Sequence, residues 1–566
     1  MSEKILKFKK SEKFEYERAN RHCDDGDYVG ALSSLLYLSA SEPKNTEVLC
    51  HIADIYTELG LYENAIIFWF RFLSVCRKSD AIDGYNGLGA NFFFLDNIEL
   101  AGFYFNKQLE LGDLGACVYD DILDDYVDSV SGFDKPGSGF KVISSESESA
   151  EKDEKNYFEA VEKNKAEDYI SAIKLVDEVS EKSEYYAKAL YEKAYGLFCL
   201  DRDCEAEEIL EKAISLNNKD INSYNLLFNC LTQTGNAEKV EKYFNSLLET
   251  DSDDTEFLNK KMVVLCDFGY FREALDVSEK IMRLAPEDTN CSYLRGLLFY
   301  NLKEKEKAVS CLKKAYIYSM NPVALYYLRI AQRAVDGDKS VPKRLPLIFE
   351  IQKAEVDRRL EVLKKLFTGT AKKNGYTDDY ISEIFDWCFY CGNQTAQIAI
   401  AIYAVKNKKT ALVEKLKTQL VNPAITDDIK IRIYTLFVES GVVKDKEETP
   451  IVYSNIFKKI KTIIPTFGAD VSSAFRQAYA IAAGRISVYF DKDFKKLVAG
   501  ATELEAAMRL SGGFKEFSDS RVIACVMFIY SGINHHADKA ALYRYFDTTK
   551  EDVAKLTAYV DERKND

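Results

Sequence analysis

Residues 385–393, FDWCFYCGN, hold the chain's single Cys-x-x-Cys pair. Trp387, Cys388 and Cys391 follow the order Trp-Cys-x-x-Cys of a dithiol redox site, in which one thiolate attacks a disulfide and the second thiol resolves the product. Such a site needs its nucleophilic cysteine at a helix N-terminus, because the positive end of the helix dipole lowers the thiol pKa. The function of the motif therefore depends on where its helix begins.

The helix that carries this motif is predicted to begin well before the first cysteine. Thr377 is a suitable N-cap, and Asp378 and Asp379 suit the first turn. Gly392 is a suitable C-cap. Between them runs an apolar stripe at helical spacing, namely Ile381, Ile384, Phe385 and Cys388. Both thiols then fall in the last turn, where the dipole disfavours a thiolate, and we interpret Trp387 and the two cysteines as packing residues.

Other catalytic and metal-binding patterns are missing or isolated. The sequence has no P-loop, no dinucleotide-binding glycine motif, no His-Glu-x-x-His and no second Cys-x-x-Cys to complete a zinc site. Of the four histidines, His22 and His51 fall in predicted helices, whereas His535 and His536 are adjacent in a loop-like segment without neighbouring ligands. We expect no catalytic residue, no metal and no cofactor.

The composition narrows the class of protein. The 566 residues carry a formal net charge of −15, which disfavours a general binder of nucleic acid or anionic membranes. No 18-residue apolar run and no signal peptide can be recognised, so we expect neither a membrane span nor export. The thirteen scattered cysteines suit a reducing compartment, and we expect a cytoplasmic protein. Glycine and proline are sparse and no clear hairpin pair is seen, which predicts an all-α fold.

Internal sequence repeats are the main organising feature of the chain. From Ala187 four consecutive 34-residue blocks can be written without a gap, and a weaker block at 153–186 keeps the same register. Most blocks have a small residue at position 8, such as Ala194 or Gly296, and at position 20, such as Ala206 or Ala308. Two helices that cross at small residues, joined by a turn, make a hairpin that buries its apolar face only by stacking on its neighbours.

This pattern resembles the tetratricopeptide repeat (TPR) family in its period and in its small, aromatic and proline positions. The resemblance extends to the N-terminus, where residues 46–79 match best. The matching positions there are Ala53, Tyr56, Gly60, Tyr62, Ala65 and Trp69. Phe228 and Met262 depart from the pattern, since they replace the small residue at position 8. The resemblance implies a solenoid of helical hairpins in two arrays.

Composition shifts divide the chain into four predicted parts. These are an N-terminal array over 1–116 with about three repeats, an acidic Ser/Gly-containing linker over 117–152, a second array over 153–336 with about five repeats and a capping helix, and a helical C-terminal domain over 340–566. The linker has too little apolar surface to offset chain entropy, and a regulatory role for it remains open. The 34-residue register is lost after residue 336, and we recognise no family resemblance in the last third.

In TPR proteins the first helix of each repeat lines a concave groove, chiefly at positions 2, 5, 9 and 12. Those positions in the second array predict a partner-binding groove formed by Tyr191, Tyr195, Phe198, Asn222, Asn225, Asn229, Asn259, Tyr293, Tyr300 and Tyr327. Asparagine offers both a donor and an acceptor to a peptide backbone, and tyrosine adds contact area with a polar tip. The resemblance therefore implies a non-catalytic scaffold that binds a peptide segment or partner protein of unknown identity.

Three alternatives can be compared with this interpretation. A chaperone-type carboxylate clamp is not expected, because Lys260, Asn290 and Leu294 stand where the family's clamp has Asn, Lys and Arg. A DNA-binding regulator is a second hypothesis, since residues 538–564 outline a helix-turn-helix. Its second helix, however, carries Glu551, Asp552 and further acidic residues that would face phosphates. A dithiol redox or metal enzyme is the third, and it depends on the motif at Cys388.

Overall fold

The computed structural model describes residues 12–111, 148–370, 375–390, 392–533 and 539–564. Within these ranges the chain is predominantly helical, which confirms the predicted fold class. No helix in these ranges is both long and apolar enough to cross a membrane. Most of the predicted acidic linker lies outside the described residues, as do Cys391, His535 and His536.

The chain divides into two compact units, and each contains one stretch of repeats. Unit 1 comprises residues 1–134, 321–323 and 350–566, and unit 2 comprises residues 135–320 and 324–349. These limits differ from the four-part division predicted from composition, which stays a proposal.

The described part of unit 2 contains five helical hairpins in series and a capping helix. We number helices in chain order through the whole protein, so that α1–α6 lie in unit 1. Those of unit 2 are α7 (Glu148–Lys165), α8 (Tyr169–Asp177), α9 (Tyr186–Cys199), α10 (Asp203–Leu216), α11 (Ile221–Thr234), α12 (Ala237–Glu249), α13 (Thr255–Asp267), α14 (Phe271–Leu284), α15 (Thr289–Asn301), α16 (Lys305–Ser319) and α17 (Pro322–Val335), whose first two residues belong to unit 1. Each 34-residue block therefore folds as the predicted helical hairpin.

The repeated residues explain why each hairpin forms where it does. Asp254 and Asp288 end successive blocks and cap the next helix, with Asp288 Oδ1 accepting from the backbone N–H of Cys291 at 2.7 Å. Gly296 lies where α15 meets α16, and a Cβ there would come within 2.6 Å of the Leu312 side chain. Phe228 stands where other repeats have a small residue at position 8. Its ring stacks on Phe244 of α12, with ring centroids 4.1 Å apart.

Unit 1 begins with three similar hairpins. Their helices are α1 (Glu12–Asp24), α2 (Tyr28–Ser41), α3 (Thr46–Glu58), α4 (Tyr62–Val75), α5 (Ala81–Phe94) and α6 (Ile98–Leu109). Gly89 of α5 allows the ring of Phe105 on α6 to approach, because an added Cβ would lie 2.5 Å from that ring. Gly60 takes a positive φ of 70° in the turn after α3, a conformation that favours glycine.

The remainder of unit 1 is formed by residues 350–566. Its elements are α18 (Lys353–Thr368), α19 (Asp378–Tyr390), α20 (Gln394–Lys406), α21 (Thr410–Leu420), α22 (Asp427–Ser440), strands β1 (Glu448–Tyr453) and β2 (Ile456–Lys461), α23 (Ser473–Tyr489), a 3₁₀ turn at Asp491–Asp493, α24 (Phe494–Ser511), α25 (Gly513–Glu516), α26 (Ser520–Tyr530), α27 (Lys539–Tyr545) and α28 (Lys550–Lys564).

The β-hairpin corrects the expectation that no hairpin pair exists. Strands β1 and β2 pair antiparallel, and Tyr453 faces Ile456 across a two-residue turn. Both turn residues, Ser454 and Asn455, have positive φ (48° and 62°), as the twist of a tight hairpin requires. The usual Asn-Gly signal is replaced by Ser-Asn, and the apolar run in β1 also suits a buried helix. Sequence patterning therefore missed this element.

The hairpin turn contacts the N-terminal repeats within unit 1. The Tyr104 hydroxyl on α6 donates to the Asn455 carbonyl at 2.5 Å and accepts from the backbone N–H of Phe457 at 3.2 Å. The ring of Tyr104 is fully buried and stacks on Phe92, with centroids 5.6 Å apart. Repeat and C-terminal residues therefore share one packed interior.

Candidate functional site

The first helices of the repeats in unit 2 form the face on which the predicted groove residues lie. Helix α11 packs against both α9 and α13, so residues at equivalent positions of these helices are neighbours. The face has two parts with different surroundings. We call the part on α9, α11 and α13 the open groove and the part on α15 and α17 the filled groove.

The open groove carries seven of the predicted residues. Asn222 and Asn229 are exposed, and the other five, Tyr191, Tyr195, Phe198, Asn225 and Asn259, are half-buried. The Asn229 side-chain amide donates to the Asn225 carbonyl at 3.1 Å, and that of Asn259 donates to the Asp288 carboxylate at 2.6 Å. Asn229 uses its side-chain nitrogen for the hydrogen bond to Asn225, so its amide oxygen does not take part in that bond. This part of the face therefore offers a hydrogen-bond acceptor beside aromatic surface.

Burial and nearby acidic groups set the protonation of this face. Burial raises the pKa of Tyr191 to about 12, and Glu192 and Asp220 contribute in the same direction. Burial also raises the pKa of Glu192, against the effect of a hydrogen bond from Asn164. The Tyr191 hydroxyl therefore stays protonated at neutral pH and can donate a hydrogen bond.

The filled groove is occupied by the chain itself. Residues 341–349, VPKRLPLIF, which we call the strap, lack helix and strand and lie against α15. The Tyr300 hydroxyl donates to the Pro342 carbonyl at 2.5 Å, and the Tyr293 hydroxyl donates to the Ile348 carbonyl at 2.7 Å. The strap runs antiparallel to α15, because the earlier strap residue meets the later helix residue.

Asn301 holds the middle of the strap. Its side-chain Nδ2 donates to the Leu345 carbonyl at 2.8 Å, and its Oδ1 accepts from the Leu345 backbone N–H at 2.7 Å. The Leu345 side chain is 3% exposed. A single asparagine thus binds both polar backbone groups of one buried residue, independently of that residue's side chain.

The tyrosines of the filled groove are buried. Tyr293, Tyr300 and Tyr327 are at most 5% exposed, and the Phe349 ring of the strap stacks on Tyr293 with centroids 5.4 Å apart. Burial raises the pKa of Tyr293, and Tyr327 adds to that shift. The hydroxyl therefore remains a donor over the whole neutral range.

All ten predicted groove residues lie on the first helices or the capping helix of unit 2, but three of them, Tyr293, Tyr300 and Tyr327, are buried in the structure. Partner binding at these residues stays a prediction. Asn301 and the strap were missed, although Asn301 directly follows Tyr300 and the strap contains two prolines, Pro342 and Pro346, that favour an extended chain.

Trp387 and Cys388 lie near the end of a helix, as predicted, whereas Cys391 lies outside the described residues. The Thr377 hydroxyl accepts from the Tyr380 backbone N–H at 3.2 Å, and α19 then runs to Tyr390. Cys388 is fully buried near the end of that helix. A Cβ at Gly392 would lie 2.5 Å from the Cys388 carbonyl oxygen, so glycine permits this close approach.

The last helix of the chain, α28, buries one apolar face inside the protein. In α28, Val553, Leu556 and Val560 are buried, and the Thr549 hydroxyl caps the helix by accepting from the Asp552 backbone N–H at 3.2 Å. Among the described residues no group of three or more His, Cys, Asp or Glu side chains is arranged to hold a metal ion.

Comparisons with known proteins agree with the repeat geometry. A family model described as "Tetratricopeptide repeat" matches residues 46–68, which cover α3 and the start of α4. A TPR repeat-containing protein of Methanocaldococcus jannaschii is 22% identical over 387 residues, or 62% of this chain. The match spans 66% of that relative's own length.

Solved structures with similar helices were also found. The complex of the TPR2AB domain of yeast Sti1 with pHSP90 has a TM-score of 0.18 at 16% identity and covers 48% of this chain and 98% of that chain. Yeast Tom70 has a TM-score of 0.20 at 13% identity, covering 98% and 95%. Naa15/Naa10 bound to HypK-THB has a TM-score of 0.17 at 11% identity, covering 98% and 100%.

Scores this low do not establish a shared overall arrangement, so the assignment rests on the repeats themselves. Unbroken 34-residue hairpins, the matching family model and the curated relative agree with one another. The chain therefore contains repeats of the tetratricopeptide type, one of which matches the family model at residues 46–68.

Proposed function

We propose that this chain is a non-catalytic interaction scaffold whose open groove binds a peptide segment of a partner protein. The observation that carries the proposal is the strap. On α15 the same face of the same solenoid binds a segment without helix or strand through Asn301, Tyr293 and Tyr300. The asparagines and tyrosines of the open groove offer the same chemistry one to three repeats away.

The placement of the asparagines supports peptide binding. A peptide in an extended conformation leaves its N–H and C=O groups without internal partners, and an amide side chain can serve both. Asn222 and Asn229 are exposed on α11, and Tyr191 and Tyr195 lie on the adjacent α9 with their rings half-buried. Tyrosine rings supply contact area with few rotatable bonds to fix, which lowers the entropic cost of binding. A cytoplasmic location is part of the proposal.

Peptide selection tests this function. A display library of random 12-residue peptides is selected on the full chain, and the affinity of enriched peptides is measured by calorimetry. The double variant Asn225→Ala/Asn229→Ala should weaken binding by about tenfold or more, since lost hydrogen bonds contribute about 1 kcal/mol each.

The matched control is Asn245→Ala, which removes an exposed asparagine from the second helix of the same hairpin. Its affinity should equal that of the wild type. The proposal fails if no peptide is enriched, or if both variants bind the enriched peptides as tightly as the wild type does.

A further inference from the structure

The strap is bound through backbone carbonyls that are spaced three residues apart. The carbonyls of Pro342, Leu345 and Ile348 accept hydrogen bonds from α15, and these residues are three positions apart. A polyproline II helix has three residues per turn, so it presents every third carbonyl on one side. It also makes no internal hydrogen bonds, which leaves those carbonyls available to outside donors.

The strap has no bend over 345–348, where its sequence favours that conformation, whereas the chain bends at Lys343 and Arg344. Prolines at 342 and 346 fix their own φ near −65° and push the preceding residues, Val341 and Leu345, toward extended or polyproline II backbone. The receiving surface has the complementary chemistry, since aromatic rings with hydroxyl donors line it. Aromatic-lined grooves are a recurring way of binding proline-rich segments, because such segments lose little entropy on binding.

Two side chains of the strap add specificity to the backbone contacts. Leu345 is buried, and Phe349 stacks on Tyr293 four positions later. The Phe349 ring remains 46% exposed, and Lys343 and Arg344 are exposed as well. The contacts therefore select a leucine and a later aromatic residue in a proline-containing extended segment.

The start of the strap is fixed to the repeats by a short turn. The Ser340 backbone N–H donates to Asp338 Oδ1 at 2.8 Å, and Arg333 Nε donates to Asp338 Oδ2 at 2.8 Å. Gly337 has a φ of 82°, which lets the chain reverse immediately after α17. So short a connection keeps the strap at a high effective concentration beside its groove.

We propose that the filled groove on α15 is a binding site for a proline-containing extended peptide with a leucine and a following aromatic residue, and that the strap is its resident occupant. A partner segment of this class binds there only by displacing the strap. The inference rests on the proposed function and deepens it, since it names the ligand class of one end of the face and the element that controls access.

The probe for this site is the strap itself, supplied as a separate molecule. A fluorescein-labelled peptide with the sequence of residues 340–350 is titrated with the full chain, and its anisotropy is followed. The strap is opened by Leu345→Asp, which places a charge in a buried apolar position. A second opened variant replaces residues 341–349 with a Gly/Ser segment of equal length, and it is used if the first loses its helical circular dichroism.

The expected result is a difference in affinity between opened and intact chains. Opened variants should bind the peptide about a hundredfold more tightly than the wild type, because an intramolecular competitor at millimolar effective concentration is removed. Adding Asn301→Ala to an opened variant should weaken binding about tenfold or more. Adding Asn245→Ala, which removes an exposed asparagine on α12, should leave it unchanged, and a peptide with Leu345→Asp should not bind.

Equal affinity of the opened and intact chains would overturn the inference, as would binding that is insensitive to Asn301→Ala. Failure here differs from failure of the proposed function. The display experiment tests binding through Asn225 and Asn229 of the open groove, whereas this titration tests binding through Asn301 in competition with the strap. Either result can therefore be positive while the other is negative.

Discussion

Asn301 and Leu345 form a reciprocal pair: the asparagine amide donates to the leucine carbonyl at 2.8 Å and accepts from the leucine N–H at 2.7 Å. The two residues are separated by 44 positions and belong to the same unit. The pair satisfies two backbone groups that strand or helix formation would otherwise satisfy. It therefore explains how a segment without secondary structure is held in place.

Asn301→Ala should loosen the strap without unfolding the repeats. Leu345 would keep its burial but lose the partners of its N–H and C=O, at a cost of about 1–3 kcal/mol. Hydrogen exchange measured by mass spectrometry should show the amides of residues 341–349 exchanging about tenfold faster or more. In Asn222→Ala, the matched control, their exchange should not change. Unaltered strap exchange in Asn301→Ala would mean that the pair does not hold the segment.

Tyr104→Phe should destabilise unit 1. The substitution keeps the buried ring but removes the donor to Asn455 and leaves the Phe457 N–H without its acceptor. A loss of about 1–3 kcal/mol in the free energy of unfolding is expected. Both tryptophans, Trp69 and Trp387, lie in unit 1, so their fluorescence during urea unfolding reports on this unit.

The control for this hydroxyl is Tyr37→Phe on α2, where the side chain is 49% exposed. Its stability should match the wild type within about 0.5 kcal/mol, as is usual for surface substitutions. If the two variants unfold at the same urea concentration, Tyr104 does not connect the repeats to the hairpin energetically.

The helical repeats and the β-hairpin differ in how well the sequence predicts them. The 34-residue hairpins follow from local signals, since Asp254 and Asp288 cap helices and Gly296 marks a helix crossing. The same holds for α19, which Thr377 starts. The β-hairpin lacks such a signal, because Ser454 and Asn455 adopt positive φ without a glycine.

The position of the strap could not be predicted from the sequence, for a different physical reason. A segment without helix or strand has no internal periodicity, and its position is set by residues far away in the chain, such as Tyr300 for Pro342. The positions of the groove residues on first helices were predictable from the repeat register. The burial of Tyr293, Tyr300 and Tyr327 was not, because it depends on which segment covers them.

Lys430 should make the stability of unit 1 depend on pH. Its side chain is 1% exposed and donates to the Val452 carbonyl at 2.6 Å. Burial lowers the pKa of Lys430 to about 8, against the opposing effect of Asp427. Above that pH the folded chain has lost the proton, whereas the unfolded chain keeps it to about pH 10.4. Unfolding takes up a proton in this window, so the contribution of Lys430 to stability rises with pH.

The comparison that isolates this effect is wild type against Lys430→Met. Between pH 7.5 and 9.5 the free energy of unfolding of the wild type should gain on the order of 2 kcal/mol relative to the variant. Tryptophan fluorescence in urea at both pH values measures it. A difference between the two proteins that stays constant with pH would contradict the assigned burial of this ammonium group.

Cys388 should be unreactive in the folded protein. It is fully buried near the end of α19, whereas Cys204 on α10 is exposed. With iodoacetamide under native conditions, mass spectrometry should find Cys204 alkylated and Cys388 unmodified until denaturant is added. Alkylation of Cys388 as fast as that of Cys204 would revive the redox interpretation of the Trp-Cys-x-x-Cys segment.

The location of a bound peptide tests the scaffold proposal most directly. An enriched peptide that carries a benzophenone side chain is irradiated with the full chain, and the cross-linked residues are identified by mass spectrometry. Cross-links should concentrate on the first helices of unit 2, at or beside Tyr191, Asn222 and Asn229. Cross-links confined to second helices such as α10 and α12, or to residues 350–566, would contradict the proposal that this chain binds its partner along the open groove.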